Sequence, residues 1–284
     1  MQEFEGKVAV ITGAASGIGR ALTEKCLAEG MQVVMADIEE NALQQAAEEL
    51  QAAGKNAILP VKTNVALLEE LENLKQQAVA NFGGVHLLFN NAGVGGGGNA
   101  WNSTEKDWEW VMGVNLWSVI HGLRVFVPQM ITQDTACHIV NTASVAGLLG
   151  ASTNAGYAVT KHGVVALTEI LYRDLEAQNL KIGASVLCPG LIDTRIMESG
   201  RNRPAALMND GAPLALTQAQ EEGRAAFAAA LKQGMKPEQL AEIVFAGIRA
   251  NQLYIQTHDI FNPMILARAN NITTGTNPAP VNLI

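Results

Sequence analysis

The chain has 284 residues, enough for one large α/β domain or two small ones. With 48% apolar and 16% charged residues it is not globally disordered, and a formal net charge of −8 opposes the phosphate-neutralising surface that a nucleic-acid partner needs. The polar start, Met1 to Lys7, has no signal-peptide or transit-peptide character, and no uninterrupted apolar run reaches the roughly 18 residues of a membrane span. A cytoplasmic chain without nucleic-acid or membrane partners is the expectation.

In chain order, short β-branched runs alternate with stretches of helical period. Strands are expected at Lys7–Thr12, Gln32–Asp37, Ala57–Lys62, Val85–Asn90, Cys137–Ala143 and Lys181–Pro189. Helices are expected between them, at about Gly17–Glu29, Glu39–Ala53, Ala66–Phe82, Thr104–Ile131 and Asn154–Gln178. This alternation implies right-handed crossovers and a doubly wound, mostly parallel sheet in a single α/β domain over residues 1–284. After Gly190 the rhythm breaks. Residues 191–235 carry no strand signal and hold one helical stretch, Thr217 to Lys232; the segment leaves the carboxyl end of a strand, so it reads as a substrate lid. A helix over Pro237–Asn251 and a short strand over Leu253–Thr257 follow. Residues 258–284 form a C-terminal extension, polar and turn-rich from Asn270, where partial disorder is expected.

Cys26, Cys137 and Cys188 lie far apart, with no CxxC and no histidine at ligand spacing. Neither disulfides nor a metal site is expected, and Cys26 and Cys188 read as small core residues. Thr12-Gly13-Ala14-Ala15-Ser16-Gly17-Ile18-Gly19 lies between the first strand and the first helix. Glycines there permit a sharp turn and close approach to a pyrophosphate, and the helix N-terminus offers N–H groups and partial positive charge. Asp37 follows Gly19 by 18 residues, at the end of the second strand, where a carboxylate accepts both hydroxyls of an adenosine ribose or caps the following helix. A 2′-phosphate beside Asp37 would meet no Lys or Arg at Ser16 or Ile38. Like charges about 4 Å apart repel by roughly 4 kcal/mol at an effective dielectric near 20, more than one or two hydrogen bonds of about 1 kcal/mol return. NAD is expected over NADP.

Tyr157 and Lys161, four apart on a helix, project from one face, and Ser144 ends a strand 13 residues earlier. With TGAASGIG, Asn90-Asn91-Ala92-Gly93, Asn115, Ser144, YAVTK (157–161) and PGLIDT (189–194), residues 5 to about 195 resemble the short-chain dehydrogenase/reductase family in its compact single-domain branch. The resemblance implies a seven-stranded Rossmann sheet, a nicotinamide cofactor and an Asn115–Ser144–Tyr157–Lys161 tetrad. Tyr157 would act as general acid/base, its pKa lowered by Lys161 and an oxidised nicotinamide. Ser144 would hold the substrate oxygen, and Asn115 would connect Lys161 to solvent through its carbonyl and water. It also implies cofactor contacts from Asn64 and Val65 at the adenine and from Asn91 and Gly93 at its ribose. Pro189, Gly190, Ile192 and Thr194 would approach the nicotinamide, and Lys161 would also bind the nicotinamide ribose. Many relatives carry Asp where Asn64 stands, and Asn91 could instead tie neighbouring strands together.

The expected substrate pocket draws on Gly95–Gly98, Ala146–Ala151 and the lid, with Leu148, Leu149, Leu191 and Met197 as apolar lining. A small to medium lipophilic secondary alcohol or its ketone fits this. The four tryptophans fall within residues 101–117, as helix packing, a subunit contact or a substrate wall. Family members commonly dimerise through the helices bearing Asn115 and Tyr157, so a homodimer or homotetramer is expected. The alternatives are an NADP-dependent ketone reductase and a nucleotide-sensing protein without catalysis.

Overall fold

An unbroken apolar run such as Val8-Ala9-Val10-Ile11 suits a parallel strand covered on both faces. A computed structural model, describing residues 1–96, 98–150, 154–210 and 217–278, places it there. The strands are β1 (Val8–Thr12), β2 (Gln32–Asp37), β3 (Ile58–Lys62), β4 (Leu87–Asn90), β5 (Cys137–Thr142), β6 (Ile182–Cys188) and β7 (Tyr254–Gln256). They form one parallel seven-stranded sheet in the order β3-β2-β1-β4-β5-β6-β7, with Val8 opposite Gln32, Ile11 opposite Phe89 and Cys137 opposite Ile182. The chain runs outward to the β3 edge, then returns to place β4 beside β1. That reversal sends the chain to opposite faces of the sheet after β1 and after β4 and opens a crevice at the carboxyl ends of the strands.

Helices α1 (Gly17–Ala28), α2 (Glu40–Ala52), α3 (Leu68–Phe82), α4 (Glu105–Met112), α5 (Ser118–Gln133), α6 (Ala155–Ala177) and α8 (Pro237–Arg249) surround the sheet. On one side Leu22, Leu43, Val244 and Phe245 pack with Val33, Met35 and Phe89; on the other Leu71, Leu74, Phe126 and Met130 pack with Val10, Val34 and Leu88. Cys26 is a buried thiol in the first of these cores and Cys188 in a smaller cluster with Val119, Val164 and Val186, as expected.

The helix expected as one piece over Thr104–Ile131 is interrupted. Thr104 starts α4 with a capping box, its hydroxyl accepting from the Asp107 N–H at 3.1 Å. A π-helical segment, Gly113–Trp117, then joins α4 to α5, and the Ser118 N–H reaches back five residues to the Gly113 carbonyl. The continuous stretch Glu105–Gln133 is long and apolar enough by length and composition alone to cross a membrane; the apolar side chains Val119, Val125, Phe126 and Met130 are buried within the fold.

Beyond β6, residues 191–210 form a strap of short turns, with 3₁₀ segments at Ile196–Asn202 and Ala205–Leu207, and α7 (Gln218–Lys232) follows. Strand-like pairing does occur here, as a parallel bridge between Ile192 and Met235. Where partial disorder is expected from Asn270, α9 (Asn262–Thr274) continues four residues beyond that point and closes on Gly275 in the left-handed conformation, φ 66°. Its apolar positions, interspersed with Asn and Thr, obscure the helical period. Residues 211–216 and 279–284, within the expected lid and tail, lie outside the described residues, as do Gly97 and Ala151 of the expected pocket.

Candidate active site

The phosphate-binding turn is built by close approach. A Cβ on Gly19 would stand 2.0 Å from the Gly13 carbonyl oxygen, and Gly13 has φ 68° with a hypothetical Cβ 3.0 Å from Ala92 Cα. Any side chain at either position would push α1 away from the turn or the turn away from the β4 loop. Thr194 closes the other side, its Cγ2 3.2 Å from a Cβ built on Gly17. At the end of β2, Asp37 accepts from the Ala15 N–H and the Glu39 N–H, both at 3.0 Å, so it braces the turn and caps the next segment together. Burial pushes its carboxyl above the ordinary value, and these N–H donors pull it down.

Asn91 ties strands together. Its side chain donates to the Thr12 carbonyl at 2.9 Å and accepts from the Thr142 hydroxyl at 3.4 Å. Asn64 is also locally engaged, accepting from the Ala66 N–H at 3.1 Å. Both still border the cleft.

Ser144 follows β5 and caps a 3₁₀ turn, accepting from the Ala146 N–H at 3.1 Å. Its hydroxyl lies beside the Tyr157 phenol and favours the ionised form. Asn154 caps α6 by accepting from the Tyr157 N–H at 3.1 Å, which fixes where the first turn of the helix presents the phenol. One turn on, the Lys161 ammonium lies 5.6 Å from the Tyr157 ring centroid and donates to the Thr142 carbonyl at 2.9 Å. Burial lowers Lys161 to about 8. Burial also pushes Tyr157 up, with the Ser144 hydroxyl pulling the other way. In the protein alone, desolvation therefore sets the direction for Tyr157, opposite to the lowering expected from neighbouring positive charge.

Asn115 stands apart from the other candidates. It is fully buried in the π-helical segment and accepts from the Val94 N–H at 2.8 Å while donating to the Val94 carbonyl at 2.9 Å. Its side chain therefore pins the β4 loop and does not line the cleft. Gly93 lies between Asn115 and Lys161: a Cβ built on it would touch both Asn115 Oδ1 and Lys161 Nζ at 3.5 Å, an ordinary contact distance.

Gly13, Ser16, Gly17, Ile18, Gly19, Asp37, Asn64, Val65, Asn91, Gly93, Ser144, Tyr157, Lys161, Pro189, Gly190, Ile192 and Thr194 all line one cleft of about 2290 Å³ at the carboxyl edge of the sheet. Leu149, Leu191 and Met197 of the expected pocket line it too, whereas Leu148 packs against core residues instead. Of the four tryptophans only Trp110 reaches the cleft; Trp101 is 80% exposed. The sequence reading missed Phe227 and Leu231 of α7 and Met264 and Ile272 of α9. It missed Arg201 as well, which donates to Glu39 from both Nη2, at 2.7 Å, and Nε, at 3.1 Å. Helical spacing of apolar residues in α7 was visible; which way either helix faces was not.

A turn made for a pyrophosphate, a carboxylate at the end of β2 and a phenol beside a buried ammonium are the working parts of a nicotinamide-dependent oxidoreductase. The comparisons agree. Residues 7–205 match the family model for short chain dehydrogenase. The chain is 33% identical over 278 residues to the CLA biosynthesis dehydrogenase/reductase of Lactiplantibacillus plantarum, covering 98% of this chain and 97% of that one. It is 37% identical over 199 residues to the cyclohexanol dehydrogenase of an Acinetobacter species, covering 69% and 76%. A short-chain dehydrogenase/reductase from Burkholderia phymatum, solved in complex with NAD, superposes with a TM-score of 0.94 at 44% identity, covering 99% and 100%. The chain belongs to the short-chain dehydrogenase/reductase family, oxidoreductases that bind NAD(P) and act on small molecules.

Proposed function

We propose that the protein is an NAD-dependent dehydrogenase of lipophilic secondary alcohols, working also in reverse as a ketone reductase. In oxidation a bound nicotinamide would supply the acceptor for the carbinol hydride, and Tyr157 would take the hydroxyl proton. Products are the ketone, the reduced cofactor and one proton. Ser144 holds the substrate oxygen, where its charge develops. Lys161 would hold the nicotinamide ribose and keeps positive charge beside the phenol. Asn115 is a positioning residue: its side chain fixes the β4 loop, and its carbonyl would hold a water that relays the proton from Lys161. The observation that carries this reading is the Tyr157 phenol one helical turn from a buried Lys161 ammonium, which lies 5.6 Å from the ring centroid, with Ser144 on the same wall of the cleft the glycine turn opens.

Asp37 supports NAD over NADP. A free cation beside it would reverse that choice, and the nearby Arg201 is already paired with Glu39. The strap and α7 act as a substrate lid, the chain works in the cytoplasm, and the exposed α4–α5 and α6 faces carrying Trp117, Val159 and Ile170 form a homo-oligomer contact.

The test is a 340 nm assay of NAD and NADP against a panel of secondary alcohols and ketones, with Tyr157→Phe as control. Turnover with NAD, kcat/KM well above that with NADP, and a fall of about 10²–10⁴-fold in the variant are expected. Cofactor binding without turnover across the panel would favour a nucleotide sensor, and equal use of NADP would refute the assignment of Asp37.

A further inference from the structure

Charge in the cleft runs against the charge of the molecule. Acidic residues outnumber basic ones 27 to 19 in the chain. Among the described cleft residues the balance inverts, to two carboxylates and six cations. Both carboxylates, Asp37 and Glu39, stand at the end of the cleft beside β2. Of the cations, Lys161 belongs to the catalytic group, Arg195 pairs with Glu198, Arg201 with Glu39 and Arg203 with Asp107. Arg224 on α7 and Arg268 on α9 remain, and among the described residues neither has an ion-pair or hydrogen-bond partner.

Arg268 stands at the substrate end. Its Nε lies 3.7 Å from where a Cβ on Gly150 would sit, six residues past Ser144. On α9 the cleft-lining positions are Met264, Ala267, Arg268, Asn271 and Ile272, the i, i+3, i+4, i+7, i+8 spacing of one helical face. No residue of α9 is buried, so this face has little protein to pack on. On α7, Ala226, Phe227 and Leu231 line the cleft near Arg224 in the same way. Two helices thus bring apolar surface and an uncompensated guanidinium each to one cavity.

A neutral alcohol would use only the apolar part of this wall. We propose that the substrate is an amphipathic acid, a hydroxy- or oxo-carboxylate whose lipophilic chain lies along α7 and α9 and whose carboxylate is held by Arg268, with Arg224 adding to the field. Guanidinium is suited to this because its planar donors match a carboxylate in pairs. The inference rests on the dehydrogenase reading of the same cleft and names its substrate class.

The experiment compares secondary alcohols with hydroxy acids that differ from them only by a terminal carboxylate in place of a methyl group, across several chain lengths, by NADH formation. At the best chain length the acid should have the higher kcat/KM by about fivefold or more, the scale of a solvated ion pair, through a lower KM. Added salt should shrink that advantage. Arg268→Ala should remove most of that advantage, and the Arg224→Ala/Arg268→Ala double variant should bring the acid-to-alcohol ratio near one, while Arg268→Lys keeps part of the advantage. Turnover of alcohols with no advantage for the acids at any length, or an advantage that survives in the double variant, overturns the proposal while leaving the dehydrogenase reading intact. Cofactor binding without turnover of either series overturns both.

Discussion

Lys161 keeps its ammonium where burial disfavours charge, 3% exposed and held by a single carbonyl, that of Thr142. Its folded pKa of about 8 lies below the ordinary 10.5, so between those values the unfolded chain binds the proton that the native chain gives up. Stability from this residue therefore rises with pH across that window, and below about pH 8 its burial costs about 3 kcal/mol. Lys161→Met removes that cost and leaves the Thr142 carbonyl unpaired, a loss of about 1–2 kcal/mol. The variant should be inactive yet more stable than the parent at pH 7 by about 1–2 kcal/mol in urea unfolding. The difference should vanish and then reverse as pH rises through the window. An inactive variant that is also less stable at pH 7 would mean that the ammonium is a structural asset, contrary to the burial argument.

At the scale of elements, the strap decides how the cleft is covered. Thr194 meets the glycine turn, Ser199 is buried and exchanges hydrogen bonds of 2.9 Å with both the N–H and the carbonyl of Gly95, and Arg201 and Asn202 hold Glu39. Further on, Arg203 is paired with Asp107 at 2.6 Å and lies over the Trp110 ring. The first part of the expected lid is thus fastened along its length, and it crosses the region where the pyrophosphate would lie. Glu39→Gln unfastens the end beside β2. The dissociation constant for NADH, read from its fluorescence, should rise about fivefold at low salt, and high salt should bring the parent toward the variant. An unchanged constant would show that the strap covers the cleft without holding the cofactor.

At the scale of the whole molecule, acid sensitivity has a source far from the cleft. His138 on β5 is fully buried; its Nε2 is 2.8 Å from the Ser185 hydroxyl, which donates to the Gln252 carbonyl, and its Nδ1 has no partner among the described residues. Burial lowers its pKa from 6.5 to about 3. The unfolded chain binds a proton across that interval and the native chain does not, so stability present above pH 6.5 is lost as pH falls, by up to about 5 kcal/mol at pH 3. His86, His121 and His258 are shifted in the same direction by burial and add to it. His138→Gln should be less stable at neutral pH, and the gap to the parent should narrow steadily below pH 6.5 in unfolding experiments. A constant gap would assign the acid sensitivity to other groups.

The sequence determined whatever depends on neighbours along the chain. Apolar runs fixed seven strands, the spacing of Gly13, Gly17 and Gly19 fixed a turn that only glycine can make, and four residues of helix put Tyr157 and Lys161 on one face. Only the tertiary structure decided which way Asn115 points, since a π segment rotates its side chain onto Val94. It also decided that α9 lines the cleft with Arg268, and that Arg201 reaches Glu39 from 162 positions away. Periodicity reports which face of a segment is apolar. What that face meets is set by packing between segments far apart in the chain, and no local pattern records it.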